Sequence, residues 1–590
     1  MIGNRQPVAV TPLTSSVAER LARLDPEQRA AATAPPGPIL CVAPAGSGKT
    51  TTLVARVAWL VAGGTDPATV VAITFNRRAA EELRARIDPA LVPLGVEPGA
   101  VRVRTFHALG LEILRSAGRA TGPLLDRDAL LRRLLPSVDR GTRGRFDLAI
   151  SRLKLDLGVT ADQVAADAEA GPVARAFVAY ERELAALGAL DFDDLVLRAL
   201  AALETDGALL ARWRSAAAHS LVDEVQDVDA SQLRLALLLA APANRIFLVG
   251  DDDQSIYGWR LADVRRVLGL AAGLPGLRRV DLATNYRCPR PVVERAVRLV
   301  AVNEERFAKV IRSRERAPGR LVLAPSTPDP VARAARVMSA LPDDGGTRAA
   351  LARTNRALQP AAAVALERGI PFRGDGIPLL LDDPRLDALI GEAFKTTPAT
   401  WPPLLRLGAL ARRVADAKRL LRAGTGEDPA GPGPAPALPS TPVPDPAEEM
   451  SEADVLASLL AWAARHRSLD ALAAAIADAR ARLAALRRDD ASLTLATAHA
   501  TKGLEFDHVA VVDMDAGRFP SARTLAESSE PERALEEERR LAYVAWTRAR
   551  RSLFLAFDPD APSPFLVEAF DPEELDPGVL SRRSTGPSPG

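Results

Sequence analysis

Two cysteines in 590 residues, Cys41 and Cys288, lie far apart in the chain. They leave no paired-cysteine metal spacing and no disulfide framework, and they suit reducing surroundings. Charge of one sign is also missing. Lys and Arg number 76 against 75 Asp and Glu, a net of +1. That excludes a chain basic all over, as a nucleic-acid coat would be, but not a local basic groove. No apolar run approaches the ~18 residues of a membrane span, and no basic-then-apolar leader opens the chain. The expected location is the cytoplasm. Aromatic residues are 4% of the sequence, so any cluster of them stands out. What remains is ordinary for a globular protein, with 47% hydrophobic and 26% charged residues, in a length that suits several domains.

Short apolar runs alternate with helical patterns. Residues 38–43 and 70–75 read as buried strands, and further runs recur at 245–249, 320–323, 493–497, 508–512 and 552–557. A helix is expected from Lys49, with Leu53, Val57 and Leu60 on one face and an end at Gly63-Gly64. Asn76 is placed to cap a second helix carrying Ala80, Leu83 and Ile87. Such alternation predicts an α/β chain built on parallel sheets covered by helices. The stretch 109–188 has helical patterns and few strand signals, as a helical insertion would. Residues 424–446 are rich in Pro and Gly and read as a linker. Residues 1–23 read as a loose lead-in, and those from 571 on as a disordered tail.

The strongest local signal is Ala43-Pro-Ala-Gly-Ser-Gly-Lys-Thr50, between a strand and an amphipathic helix. Small residues there let backbone N–H groups wrap phosphates at a helix N-terminus, which makes Ala43, Pro44, Ala45, Gly46, Ser47, Gly48, Thr50 and Thr51 candidate ATP-binding positions. Lys49 is expected to reach the β- and γ-phosphates of ATP and Thr50 to hold Mg²⁺. Leu221-Val222-Asp223-Glu224 ends a short apolar run in two acids. Alone such a pair is usually solvated. Beside a phosphate loop it suits metal binding by Asp223 and activation of water by Glu224. Val225-Gln226-Asp227 is an unusually polar continuation. Asp251, Asp252 and Asp253 follow a buried strand, which is costly unless a cation or polar site faces them. Gln254 is placed to sense the γ-phosphate or the attacking water. Tyr257 and Trp259, in a polar loop beside Arg260, read as a base-stacking platform rather than a core pair.

Taken in order, these residues resemble the UvrD/Rep/PcrA type of superfamily-one DNA helicases, over about residues 24–557. The resemblance implies two RecA-like parallel-sheet motor domains, each with a mainly helical insertion. The first motor domain would comprise 1–108 and 189–280, interrupted by 109–188. The second would comprise 281–375 and 489–570, interrupted by a reduced insertion at 376–488, with 571–590 as tail. It further implies adenine reading by Gln28, in Leu24-Asp-Pro-Glu-Gln28, and stacking of Tyr286 on adenine. Arg287, in Asn285-Tyr-Arg287, and Arg548 would reach the γ-phosphate from the second motor domain, and Glu505 would lie near the sugar. Phe75, Arg77, Arg78, Phe106, His107, Tyr257, Trp259, His499 and Lys502 would lie along the DNA. Taken singly, Gln28 and His107 have blander readings, as an exposed glutamine and a satisfied histidine. The acids of Leu190-Asp-Phe-Asp-Asp-Leu195 are expected mainly to cap a helix.

The implied activity is ATP-dependent movement along single-stranded DNA in the 3′→5′ direction, with unwinding at single/double-strand junctions, alongside repair or replication proteins. Two alternatives share these motifs. One is a translocase that strips proteins without unwinding. The other is a non-catalytic DNA- or polymerase-binding scaffold, against which the intact Lys49, Asp223, Glu224, Gln254, Arg287 and Arg548 argue.

Overall fold

The structure is a computed structural model. It describes residues 15–119, 122–136, 138, 140–156, 158–166, 171–314, 318–424 and 452–576. The expected lead-in before residue 15, the linker from 425 to 446 and the tail from 577 lie outside these. The chain divides into two compact units, Met1–Pro318 with Leu535–Thr547, and Gly319–Ala534 with Arg548–Gly590.

The first unit is built on six parallel strands in the order β3-β2-β4-β5-β1-β6. They are β1 (Ile39–Val42), β2 (Val70–Thr74), β3 (Arg102–Thr105), β4 (His219–Val222), β5 (Ile246–Gly250) and β6 (Arg278–Asp281). β1 shows why the central strands read as unbroken apolar runs. Leu40 and Val42 enter the core on one face, and Ile39 and Cys41 the core on the other. Both faces are covered, so alternation of polar and apolar residues disappears. Burial pushes the Cys41 thiol up to about 12, an inert core group. The helix Lys49–Ala62 buries Leu53, Val57 and Leu60 as expected, and Arg77–Leu91 buries Ala80, Leu83 and Ile87 behind the Asn76 cap. Because all six strands run the same way, the loops after β1, β2, β4 and β5 emerge along one edge of the sheet.

The second unit repeats the plan, with parallel strands in the order β11-β12-β10-β13-β14-β9. These are β9 (Arg320–Pro325), β10 (Arg348–Ala352), β11 (Phe372–Arg373), β12 (Leu493–Thr497), β13 (Phe506–Val511) and β14 (Ala549–Phe557). Between the two sheets in sequence, β7 (Thr284–Asn285) pairs with β8 (Arg312–Ser313). The fold is thus α/β with two RecA-like sheets.

Several expectations need correction. Residues 281–318 group with the first unit rather than opening the second. The lead-in carries a helix at Ser15–Ala22, whose Val17 and Leu21 enter the first unit's core. The tail holds a helical turn at Pro572–Leu575 behind Asp571. The helix Phe106–Ser116 belongs to the core of the first sheet, so the separately packed insertion starts after it. That insertion has its own small core of Leu130, Leu131, Ile150, Phe177, Tyr180 and Leu184. The helices Pro384–Thr396, Glu452–Ala463 and Leu469–Leu486, by contrast, send Leu386, Ile390, Leu459, Leu472 and Ile476 into the same core as the second sheet.

Candidate functional site

The phosphate loop begins where β1 ends. Ala43 N–H donates to the Gly250 carbonyl at 2.8 Å, which fixes the loop's base against β5. Gly46 and Gly48 have φ of +68° and +83°, in the left-handed region that costs other residues most. A Cβ on Gly48 would stand 2.6 Å from Gln28 Nε2, so glycine is required by space as well. Gln28 is itself buried. Its Nε2 donates to the Ser47 carbonyl at 2.8 Å, and its Oε1 accepts from Asp25 N–H at 3.2 Å. In this arrangement the side chain expected to read adenine braces the loop. Ser47 Oγ is buried without a hydrogen-bond partner. An orphaned hydroxyl among glycine N–H groups at a helix start is a cradle suited to a phosphate oxygen.

The two acids follow β4. Asp223 N–H donates to the Ile73 carbonyl at 2.9 Å, holding Asp223 at the strand end, and Glu224 takes φ of +51°. Lys49 Nζ lies 3.4 Å from Glu224 Oε2. Burial, then the neighbouring Glu224 charge, pushes the Asp223 carboxyl up to about 7, against the pull of Lys49. The pair is short of positive charge. A hard divalent cation would fit that deficit at the Asp223 carboxylate. Among the described residues no group of three or more His, Cys, Asp or Glu is arranged to enclose a metal.

Gln226, given no role by the sequence, joins this site to the next loop. Its Nε2 donates to Glu224 Oε2 at 2.8 Å, and its Oε1 accepts from Asp251 N–H at 3.0 Å. Gln254 Nε2 donates to Asp251 Oδ2 at 2.7 Å. The three successive aspartates do face cations, but the protein's own. Lys309 Nζ lies 3.0 Å from Asp251 and 2.9 Å from Asp253 and also pairs with Asp252. Arg306 grips Asp253 through two bonds of 3.0 and 2.8 Å. Neither cation carried a local sequence signal; both lie about fifty residues away.

Arg287 is a correction of place. It belongs to the same unit as the phosphate loop rather than to the second. Tyr286 N–H donates to the Gly46 carbonyl at 2.9 Å, and Asn285 Nδ2 to the Ala45 carbonyl at 2.8 Å. A Cβ on Gly46 would stand 2.8 Å from Arg287 Cβ. The Arg287 guanidinium donates to the Thr547 carbonyl at 3.3 Å. Tyr286 is exposed, its hydroxyl donating to Asp25 Oδ2 at 2.6 Å.

The aromatic residues Phe75, Tyr257 and Trp259 lie together. Phe75 and Tyr257 stack with ring centres 5.2 Å apart and planes 14° apart, and Trp259 meets Tyr257 edge-on at 6.1 Å. The Arg260 guanidinium lies 4.5 Å from the Trp259 ring centre. Arg77 and Arg78 are exposed at the start of their helix, Arg77 paired with Glu81 at 2.8 Å. Phe106 is the exception. Its ring is buried in the core of the first sheet and offers no face to a base. His107, the next residue, packs edge-on against the exposed Phe192, and burial draws its pKa down. Asp191 caps the helix Phe192–Thr205, as expected, and also receives Tyr180, Lys154 and Arg127 at 2.8, 3.0 and 2.6 Å.

In the second unit, His499 and Lys502 lie on the turn after β12, with burial and the Arg353 and Lys502 charges holding His499 neutral. Glu505 is exposed and pairs with Arg550 at 3.3 Å. Arg548 is buried, donating to the Leu504 carbonyl at 3.0 Å.

Residues 24–273 match the UvrD/REP helicase N-terminal domain family, and residues 453–558 the UvrD-like helicase C-terminal domain family. The chain is 32% identical over 609 aligned positions to the ATP-dependent DNA helicase UvrD2 of Mycobacterium tuberculosis, covering 97% of this chain and 83% of that protein. It is 35% identical over 302 positions to the ATP-dependent DNA helicase Rep of Escherichia coli, covering 49% of this chain and 44% of that one. The ATP-dependent DNA helicase PcrA of Staphylococcus aureus is 32% identical over 304 positions, with 49% and 41% covered. With a phosphate loop, paired acids and an aromatic platform along one sheet edge, and with these relatives, the chain belongs to the UvrD/Rep/PcrA family of ATP-dependent DNA helicases.

Proposed function

We propose that the protein hydrolyses ATP to move 3′→5′ along single-stranded DNA and to open duplex at junctions, in repair or replication. The observation that carries this reading is the continuity of one sheet edge, from Lys49 and Glu224 through Gln226 and Asp251 to the Tyr257–Phe75 stack. Lys49 would bind the β- and γ-phosphates, Gln254 and Arg287 the γ-phosphate, and Tyr286 the adenine. Glu224 would accept the proton of the attacking water. A magnesium ion held by Thr50 and Asp223 would supply charge neutralisation to the phosphates. Arg548 and Glu505 are proposed as further nucleotide residues. An arginine that stabilises the transferring phosphoryl group can be worth ~10³–10⁵ in rate. DNA would stack on Phe75, Tyr257 and Trp259, its phosphates meeting Arg77, Arg78, His499 and Lys502.

The test is ATP hydrolysis with and without single-stranded DNA, with unwinding of a partial duplex bearing a 3′ tail followed in parallel. Strong stimulation with unwinding supports the proposal, and no hydrolysis in either condition overturns it. A second reading, translocation without unwinding, is favoured by one observation. The described helices within 376–488 share the second sheet's core and have none of their own. Stimulated hydrolysis without strand separation would select it.

A further inference from the structure

We infer that Gln226 is the positioning residue for Glu224, and that it keeps the carboxylate aimed when nucleotide takes Lys49 away. The inference rests on the reading of Glu224 as the group that activates water.

Lys49 at 3.4 Å and Gln226 at 2.8 Å both lie against Glu224 Oε2. Lys49 has a second task at the phosphates, so its contact with Glu224 cannot persist once ATP is bound. Gln226 is not among the residues proposed to bind nucleotide. Its side chain is fully enclosed, and its carboxamide is used at both ends. Nε2 donates to Glu224 and, at 3.2 Å, to Asp227 Oδ2, while Oε1 accepts from the backbone of Asp251 at 3.0 Å. Carboxylates can only accept and a backbone N–H can only donate, so the orientation of the amide is fixed. The main chain of Gln226 is tied as well, its carbonyl receiving Ser255 Oγ at 3.3 Å. Glu224 needs such a hold. A non-glycine residue at φ of +51° persists only when its neighbours impose it. Gly250 completes the device, because a Cβ there would stand 2.4 Å from Gln226 Oε1. β5 therefore ends in the one residue that leaves room for the carboxamide.

Two lesions with different chemistry should give one phenotype. Gln226→Met keeps the volume and removes the hydrogen bonds. Gly250→Ala keeps Gln226 and crowds its carboxamide most closely, at 2.4 Å, with Val225 Cγ1 next at 2.9 Å, while the Gly250 carbonyl that receives Ala43 N–H is retained. Each should lower kcat of DNA-stimulated hydrolysis by ~10–100-fold, the scale expected when a catalytic group is misplaced by about 1 Å. KM for ATP and the Kd of a fluorescent ATP analogue should stay within about threefold, because only the transition-state interaction is lost. Wild-type kcat in both variants, or a KM that rises while kcat holds, would overturn the inference. If Gln226→Met does not fold, Gly250→Ala decides alone. Glu224→Gln, run alongside, separates the two claims. If it hydrolyses ATP at the wild-type rate, both the role of Glu224 and its positioning fall. If it is inactive while the other two variants retain full kcat, only the inference about Gln226 falls.

Discussion

Two acidic clusters end neighbouring strands of the first sheet, and they are opposites. Asp251, Asp252 and Asp253 are fully buried and fully paired, with Lys309 and Arg306 against them. Asp223 and Glu224 have one lysine at 3.4 Å, and the Asp223 carboxyl is pushed up to about 7. Buried acids neutralised by the protein's own cations make structure. An acid pair left short of charge has room for a cation from elsewhere. Sequence shows both clusters as the same thing, a short acidic run after an apolar strand. The difference lies in partners brought from distant parts of the chain.

The sharpest way to break this contrast is to remove the lysine from each cluster. Lys49→Ala should abolish ATP hydrolysis, by more than ~10³-fold, while the unfolding midpoint stays near that of the wild type. Steady-state hydrolysis and thermal denaturation check both halves, and wild-type turnover would remove the first site from consideration. Lys309→Met should do the reverse in stability. It leaves three buried acids with one arginine, and breaking a buried pair costs about 3–5 kcal/mol. Denaturant unfolding measures it, and an unchanged midpoint would show that the triple acid is not a structural cluster.

Trp259→Ala should weaken DNA binding by about 1–3 kcal/mol, the worth of one stacked base. It should reduce DNA-stimulated hydrolysis more than basal hydrolysis. Equal loss of both would make the ring a core element instead. The smallest effect concerns pH. Asp223 has a folded pKa raised above its unfolded value of 3.8, so its contribution to stability is present below that value and lost as pH rises through about 7. Asp223→Asn should therefore stabilise the protein at pH 8 by about 1 kcal/mol or more relative to pH 4. Its hydrolysis should nevertheless be lost. A stability difference independent of pH would show that the acid is neutralised after all.

β1, β2 and β5, buried throughout, were legible as apolar runs, as were the apolar parts of β13 and β14, and β12 by its alternating Leu residues. β10 was not, since Arg-Ala-Ala-Leu-Ala has no residue that favours a strand and becomes one only between β12 and β13. β3, at the sheet's edge, alternates Arg with Val and Thr and gives a weak signal. The phosphate loop was legible because glycines at fixed spacing mark a local backbone need. Phe106 and Arg287 were misplaced because the motif gives a residue's neighbours in sequence, while packing decides what it touches. Phe106 turned inward because the first residue of its helix points at the core rather than at the sheet's edge.

The helix Pro531–Trp546 enters the first unit from residue 535 on, about two hundred residues after that unit's other portion ends. Glu537 from this helix accepts the Gly258 N–H at 2.9 Å, and Arg539 and Arg540 fasten the segment at Asn303 and Glu305. During synthesis, at about 5–20 residues per second, the nascent first unit would therefore wait roughly 10 to 40 s for its last piece. For that interval the aromatic loop lacks its carboxylate cap and the Arg306–Lys309 segment its outer support. The window is one in which a chaperone has something to hold, and a ribosome stalled before residue 535 would release a first unit that cannot close its own fold.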